Sequence, residues 1–100
     1  MIKHIVMWKL KDSAHGFPKS KNALLIKEKL ESLNGKIPGL LKLEVGIDFL
    51  QSPDSADIVL YSEFESREAL QIYQDHPLHR AVMPFVAEAR ETRISVDYKI

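Results

Sequence analysis

Cysteine is absent from this 100-residue chain, which excludes disulfides, thiolate nucleophiles, CxxC redox chemistry and cysteine-rich zinc sites. Net charge is missing too, because 14 Lys and Arg balance 14 Asp and Glu. No global field therefore gathers nucleic acid or anionic lipid. The densest basic spots are Lys9 with Lys11 and Lys19 with Lys21. They fall short of a basic run and read as a solvated face. No stretch approaches the ~18 apolar residues of a membrane span. Met1-Ile2-Lys3-His4 enters an alternating pattern directly, with no charged region ahead of an apolar one. The expected location is the cytoplasm, with neither membrane nor nucleic acid as partner.

What is present is an ordinary folded composition, 45% apolar and 28% charged. Residues 1–100 are expected to form a single domain. A chain this short buries only about two-thirds of its unfolded surface, so a second copy would add to its stability.

The pattern along the chain gives the elements. Ile2, His4, Val6, Trp8 and Leu10 share one face of a strand over 2–10, by the period of two. The other face, Lys3, Ile5, Met7 and Lys9, has an apolar centre. Asp12 to Pro18 reads as a loop. Ala23, Ile26, Leu30, Leu33 and Ile37 recur at steps of three and four, predicting a helix over 19–36 that Asn34-Gly35 and Pro38-Gly39 terminate. A strand over 41–49 places Leu41, Leu43, Val45, Ile47 and Phe49 on one parity. A third strand covers 57–65, with apolar residues on both parities that leave its core face open. Ser66 opens a second helix with Ala69, Leu70, Ile72 and Tyr73 on its buried side, and Pro77 ends or bends it at His76. A further helical stretch runs to about Arg90, kinked or restarted by Pro84. A strand over 92–100 closes the chain.

The order βαββαβ predicts an α+β, ferredoxin-like domain, a four-stranded antiparallel sheet with helices on one face. Apolar residues on the uncovered face predict a homodimer through sheet-to-sheet packing. The fold does not fix a function. An RNA-recognition strand would need basic and glycine residues that Asp57-Ile58-Val59-Leu60-Tyr61-Ser62-Glu63-Phe64 lacks. Copper carriage needs paired cysteines. Haem degradation in this architecture uses an Asn, Trp and His together, and neither Asn22 nor Asn34 suits the first role.

One resemblance remains. Ile2-Lys3-His4-Ile5-Val6-Met7-Trp8-Lys9-Leu10-Lys11, Ile37-Pro38-Gly39-Leu40, Gly46, Tyr73-Gln74-Asp75-His76-Pro77-Leu78-His79 and Ser95-Val96-Asp97-Tyr98 follow in an order and spacing similar to the stress-responsive A/B barrel family. The resemblance spans nearly the whole chain. It implies a dimeric α+β barrel, in many members with a cavity between sheet and helices. Many members have no assigned reaction. One plant branch contains polyketide cyclases, whose catalytic Tyr and His match Tyr73 and His79, and whose pocket His and terminal-strand Asp match His4 and Asp97.

The candidate residues follow from chemistry and resemblance together. His79 could take a proton from an activated carbon, and Tyr73 could donate to a developing enolate oxygen. His4, Trp8, His76 and Asp97 are the candidate pocket residues. Equally, His76 and His79 could tie down backbone groups left open at Pro77. Four histidines, His15 included, form no recognised ligand spacing, so neither metal nor cofactor is expected. The reading is a homodimeric small-molecule-binding or stress-associated domain, taking a small apolar or carbonyl ligand, with no assignable reaction. The alternative is a cofactor-free, polyketide-cyclase-like lyase using the Tyr/His pair on a small carbonyl substrate.

Overall fold

The computed structural model describes residues 1–100. The chain runs β1 (Ile2–Leu10), β2 (Ser13–Ala14), β3 (Phe17–Pro18), α1 (Lys19–Glu31), β4 (Leu40–Ile47), β5 (Ile58–Phe64), α2 (Arg67–Asp75), α3 (Pro77–Ala89) and β6 (Arg90–Lys99). Four strands form one sheet in the order β4-β5-β1-β6, and every neighbouring pair is antiparallel. This is the expected ferredoxin-like α+β fold. No helix is long and apolar enough to cross a membrane.

The helices cover the face carried by Ile2, His4, Val6, Trp8 and Leu10, all buried as the alternation predicts. On β5 the buried parity is Ile58, Leu60, Ser62 and Phe64, which resolves the face left open by sequence. The stripe Ala23, Ile26, Leu30, Leu33 and Ile37 is buried as predicted. The helix itself stops at Glu31, and the chain reaches Leu33 and Ile37 through turns. α2 ends at Asp75, as Pro77 requires, while α3 runs unbroken through Pro84.

Three local expectations are corrected. The loop from Asp12 to Pro18 contains a small hairpin, because His15 and Gly16 both take positive φ, 57° and 77°, as a tight reversal demands. His15 then stacks on Phe85, with ring centroids 3.9 Å apart, and fastens the hairpin to α3. The second strand ends at Ile47, leaving Phe49 94% exposed. A register shift between Leu40 and Lys42 puts Leu41 out of the pairing and leaves it exposed, so Leu41 and Phe49 do not join the buried row.

The two sheet edges differ. Side chains from α1 and the turn after it occupy the outer backbone groups of β4: Lys27 Nζ donates to the Val45 carbonyl, Glu31 Oε2 accepts from the Val45 N–H, and Asn34 exchanges two hydrogen bonds with Leu43. That edge is closed to strand addition. β6 has no such cover, and from Glu91 to Lys99 all its residues are exposed.

Candidate functional site

The helix-covered face carries one row of polar groups across three strands. His4 pairs with Asp97 on one side and with Ser62 on the other. His4 Nδ1–H donates to the Asp97 carboxylate, and Ser62 Oγ donates to the His4 carbonyl at 2.9 Å. The carboxylate thereby fixes the imidazole's tautomer, leaving Nε2 as the free nitrogen.

Beside this row lies a cavity of about 140 Å³. The sheet contributes His4, Trp8 and Leu60 to its wall, and α3 contributes His79, Met83 and Val86. Gln74, Arg90 and Arg93 border it. His79 Nδ1–H donates to the Gln74 carbonyl at 3.1 Å, a contact made where Pro77 interrupts the helix. Its Nε2 has no protein partner. A wider groove of about 430 Å³ runs alongside between α2 and β6, bordered by Arg67, Gln74, Asp97 and Lys99.

Tyr73 stands behind the cavity. Its ring centroid lies 4.3 Å from that of His79, 6.4 Å from His4 and 5.0 Å from Phe64. The side chain is wholly buried, and its hydroxyl has no hydrogen-bond partner. Burial pushes the phenol well above its ordinary value, so it is held as a donor. The indole Nε1–H of Trp8 is likewise buried and unpartnered.

The structure therefore brings His4, Trp8 and His79 to one cavity, places Tyr73 in ring contact with His4 and His79, and joins Asp97 to the group through His4. His76 is a correction to the expected pocket. It takes extended geometry ahead of Pro77, and its Nδ1 accepts from the Leu78 N–H at 3.1 Å, capping α3. It borders a separate surface depression with Glu68 and Asp75. Ser62, Arg90 and Arg93 escaped the sequence reading. The polar row Arg93, Ser95, Asp97 was visible in the alternation of the last strand, but the face it occupies was not. No group of three or more His, Asp or Glu side chains is placed to hold a metal ion.

Burial holds His79 below the ordinary imidazole value, against the raising effect of its bond to Gln74 and with a smaller lowering by His4. The unfolded chain then takes up a proton near pH 6.5, where the folded protein resists it. Stability at His79 is intact above that pH and declines as pH falls toward the lower folded value. Urea midpoints between pH 7.5 and 5 should show the decline, and His79→Gln should flatten it. Glu31, held low chiefly by its hydrogen bond to Lys27, weakens the fold only at lower pH, below its ordinary 4.5. A slope unchanged by His79→Gln would assign the effect elsewhere.

A half-covered antiparallel sheet with an imidazole-lined cavity under its helices defines the class, a ferredoxin-like α+β domain. The chain belongs to the stress responsive A/B barrel domain family, whose model matches residues 2–100. It is similar to a dimeric protein of unknown function and ferredoxin-like fold from Bacteroides fragilis, at 37% identity over 99% of this chain and 95% of that one, with a TM-score of 0.84. A dimeric ferredoxin-like protein of unknown function from Thermobifida fusca superposes with a TM-score of 0.85, at 23% identity over 99% and 90% of the two chains. Hydroxynitrile lyase from Passiflora edulis shares the fold, with a TM-score of 0.82 at 18% identity over 99% and 92%. No curated protein matches the chain.

Proposed function

We propose that this chain forms a homodimer whose protomers each bind a small, partly apolar carbonyl compound in the cavity between sheet and α3. The observation that carries the binding reading is Trp8, which lines the cavity and whose indole N–H is buried without a partner. A buried donor without an acceptor costs about 1–3 kcal/mol. A ligand carbonyl entering the cavity would accept from it, while the faces of Leu60, Met83 and Val86 receive the apolar body. Dimerisation through the uncovered sheet face is supported by its apolar exposure. Met7, Ile94, Val96 and Tyr98 are 38%, 65%, 50% and 41% exposed there. Two of the similar structures are described as dimeric.

Cyclohexanone, a neutral ring of suitable size, is the probe for calorimetry. Trp8→Phe is expected to weaken its binding about tenfold, the loss of one hydrogen bond. Equal affinity for wild type and Trp8→Phe would sink the assignment. Tyr73→Phe is expected to raise stability by about 1 kcal/mol, since it removes a hydroxyl buried without a partner. A loss of stability would instead mean that the hydroxyl is bonded within the fold.

A second reading, a cofactor-free, polyketide-cyclase-like lyase, is favoured by one arrangement. His4 and His79 both border the cavity, each with Nδ1 committed to an acceptor and Nε2 free. Either imidazole could remove a proton next to a ligand carbonyl, with Tyr73 held protonated nearby. Deuterium exchange at the α-carbons of cyclohexanone in D2O reads this directly by NMR. Exchange above background, lost in His79→Ala, supports the lyase reading; exchange at the background rate leaves binding alone.

A further inference from the structure

Two of the side chains around the cavity, Arg90 and Arg93, carry full positive charge. Arg93 lies on the helix-covered side of β6, paired with Trp8 across the strands. Arg90 sits where α3 passes into β6. Both border the same cavity as the Trp8 indole. No ion pair involves either arginine: His4–Asp97 is the pair at this cavity, and the others, Lys3–Glu63, Lys19 with Asp12 and Asp57, Lys27–Glu31, Lys42–Glu44 and Arg80–Asp75, lie elsewhere. The side chain of Arg93 reaches only the Ser95 hydroxyl, at 3.4 Å, and that of Arg90 makes no hydrogen bond. The carboxylate on this face of β6, Asp97, is occupied by His4. In a chain whose charges sum to zero, the rim of this cavity is locally positive.

We propose that Arg90 and Arg93 make the cavity selective for a carboxylate carried on a body about the size of one six-membered ring. The inference rests on the binding reading above and gives its ligand a charge. Guanidinium groups match a carboxylate with paired, charge-assisted hydrogen bonds, and low-dielectric walls concentrate their field at the opening. The volume sets the size of the body. About 140 Å³ compares with the roughly 150 Å³ of an engineered cavity that accepts benzene. Trp8, Met83 and Val86 supply apolar contact for the ring, and the indole N–H adds one more donor for an oxygen.

Benzoate and benzamide separate the charge from the shape, since they differ chiefly at the acid group. By calorimetry, benzoate is expected to bind wild type at least about tenfold more tightly than benzamide, a preference that shrinks as salt rises. Arg93→Met and Arg90→Met should each erode the preference while leaving benzamide binding in place. Arg93→Lys should restore part of it. Equal binding of the two compounds to wild type, or a preference that survives the double Met variant, overturns the proposal. Inorganic phosphate competing as strongly as benzoate would overturn the ring requirement. Cyclohexanone binding without any benzoate preference would sink this inference alone. If no compound binds wild type, the cavity reading falls with it.

Discussion

Replacing Ile94 and Val96 together by aspartate is expected to leave the chain folded and monomeric. Both residues stand on the face of β6 turned away from the helices, paired with Met7 and Ile5 of β1. At 65% and 50% exposure they contribute little to the protomer's own core, so the fold has little to lose. A sheet-to-sheet dimer has much to lose. Burying one such side chain contributes about 1.5 kcal/mol or more, and two-fold symmetry counts each substitution twice. Four lost side chains alone weaken association by about four orders of magnitude. Unpaired carboxylates forced into an apolar interface add to this. Light scattering after size exclusion reads the mass, and circular dichroism reads the fold. Ser95→Asp, between the two but on the opposite face, should remain dimeric. A dimeric double variant, or a monomeric wild type, would remove the sheet face from the interface.

The same face explains which parts of the fold were legible in the sequence. β1 was plain because His4, Val6 and Trp8 are buried while Lys3 and Lys9 mark its other side. β5 was not, because Val59 and Tyr61 on the uncovered face are as apolar as Ile58 and Leu60 beneath the helices. A strand with apolar residues on both faces loses its alternation. Leu41 and Phe49 misled for another reason. A register shift and a strand end are backbone events, and the side-chain pattern continued through both. In α1 the apolar spacing reached Ile37 although the helix stopped at Glu31, since turns after the helix still lay Leu33 and Ile37 on the core.

The candidate site was legible where topology left no choice. His4 and Trp8 had to share the face of Val6, and Asp97 had to share a parity with Arg93 and Ser95. His76 and His79 flank the same proline and could not be separated by type or spacing. The structure separates them by what each imidazole meets: a free backbone N–H at the start of α3 for His76, the Gln74 carbonyl and the Tyr73 ring for His79. Ser62 shows the converse. A serine in an apolar strand suggests an exposed position, yet its hydroxyl is buried because the His4 carbonyl lies within reach.

Gly39→Ala should be the most damaging substitution of a single atom group outside the core. Ile37-Pro38-Gly39-Leu40 forms the turn into β4, closed by the Leu40 N–H donating to the Ile37 carbonyl at 3.2 Å. Proline at the second position and positive φ at the third suit a type II reversal. Gly39 has a φ of 81°, and placing alanine there costs about 1–2 kcal/mol. Space makes it worse. A Cβ on Gly39 would lie 2.5 Å from the Cβ of Ala69 on α2, and overpacking of this kind costs typically about 1–3 kcal/mol. Neither atom belongs to a side chain that can swing away, so α2 or the turn must move. The loss should total about 2–5 kcal/mol and lower the thermal midpoint by roughly 10 °C or more. Gly35 supplies the control, with a φ of 77° and open space around its missing Cβ. Gly35→Ala should cost only the backbone part, about 1–2 kcal/mol. Ala69→Gly introduced into Gly39→Ala should recover the steric part, less about 1 kcal/mol for glycine within a helix. Equal losses for Gly35→Ala and Gly39→Ala would show that α2 yields freely, and the close approach of turn and helix would then not be what holds α2 in place above the sheet.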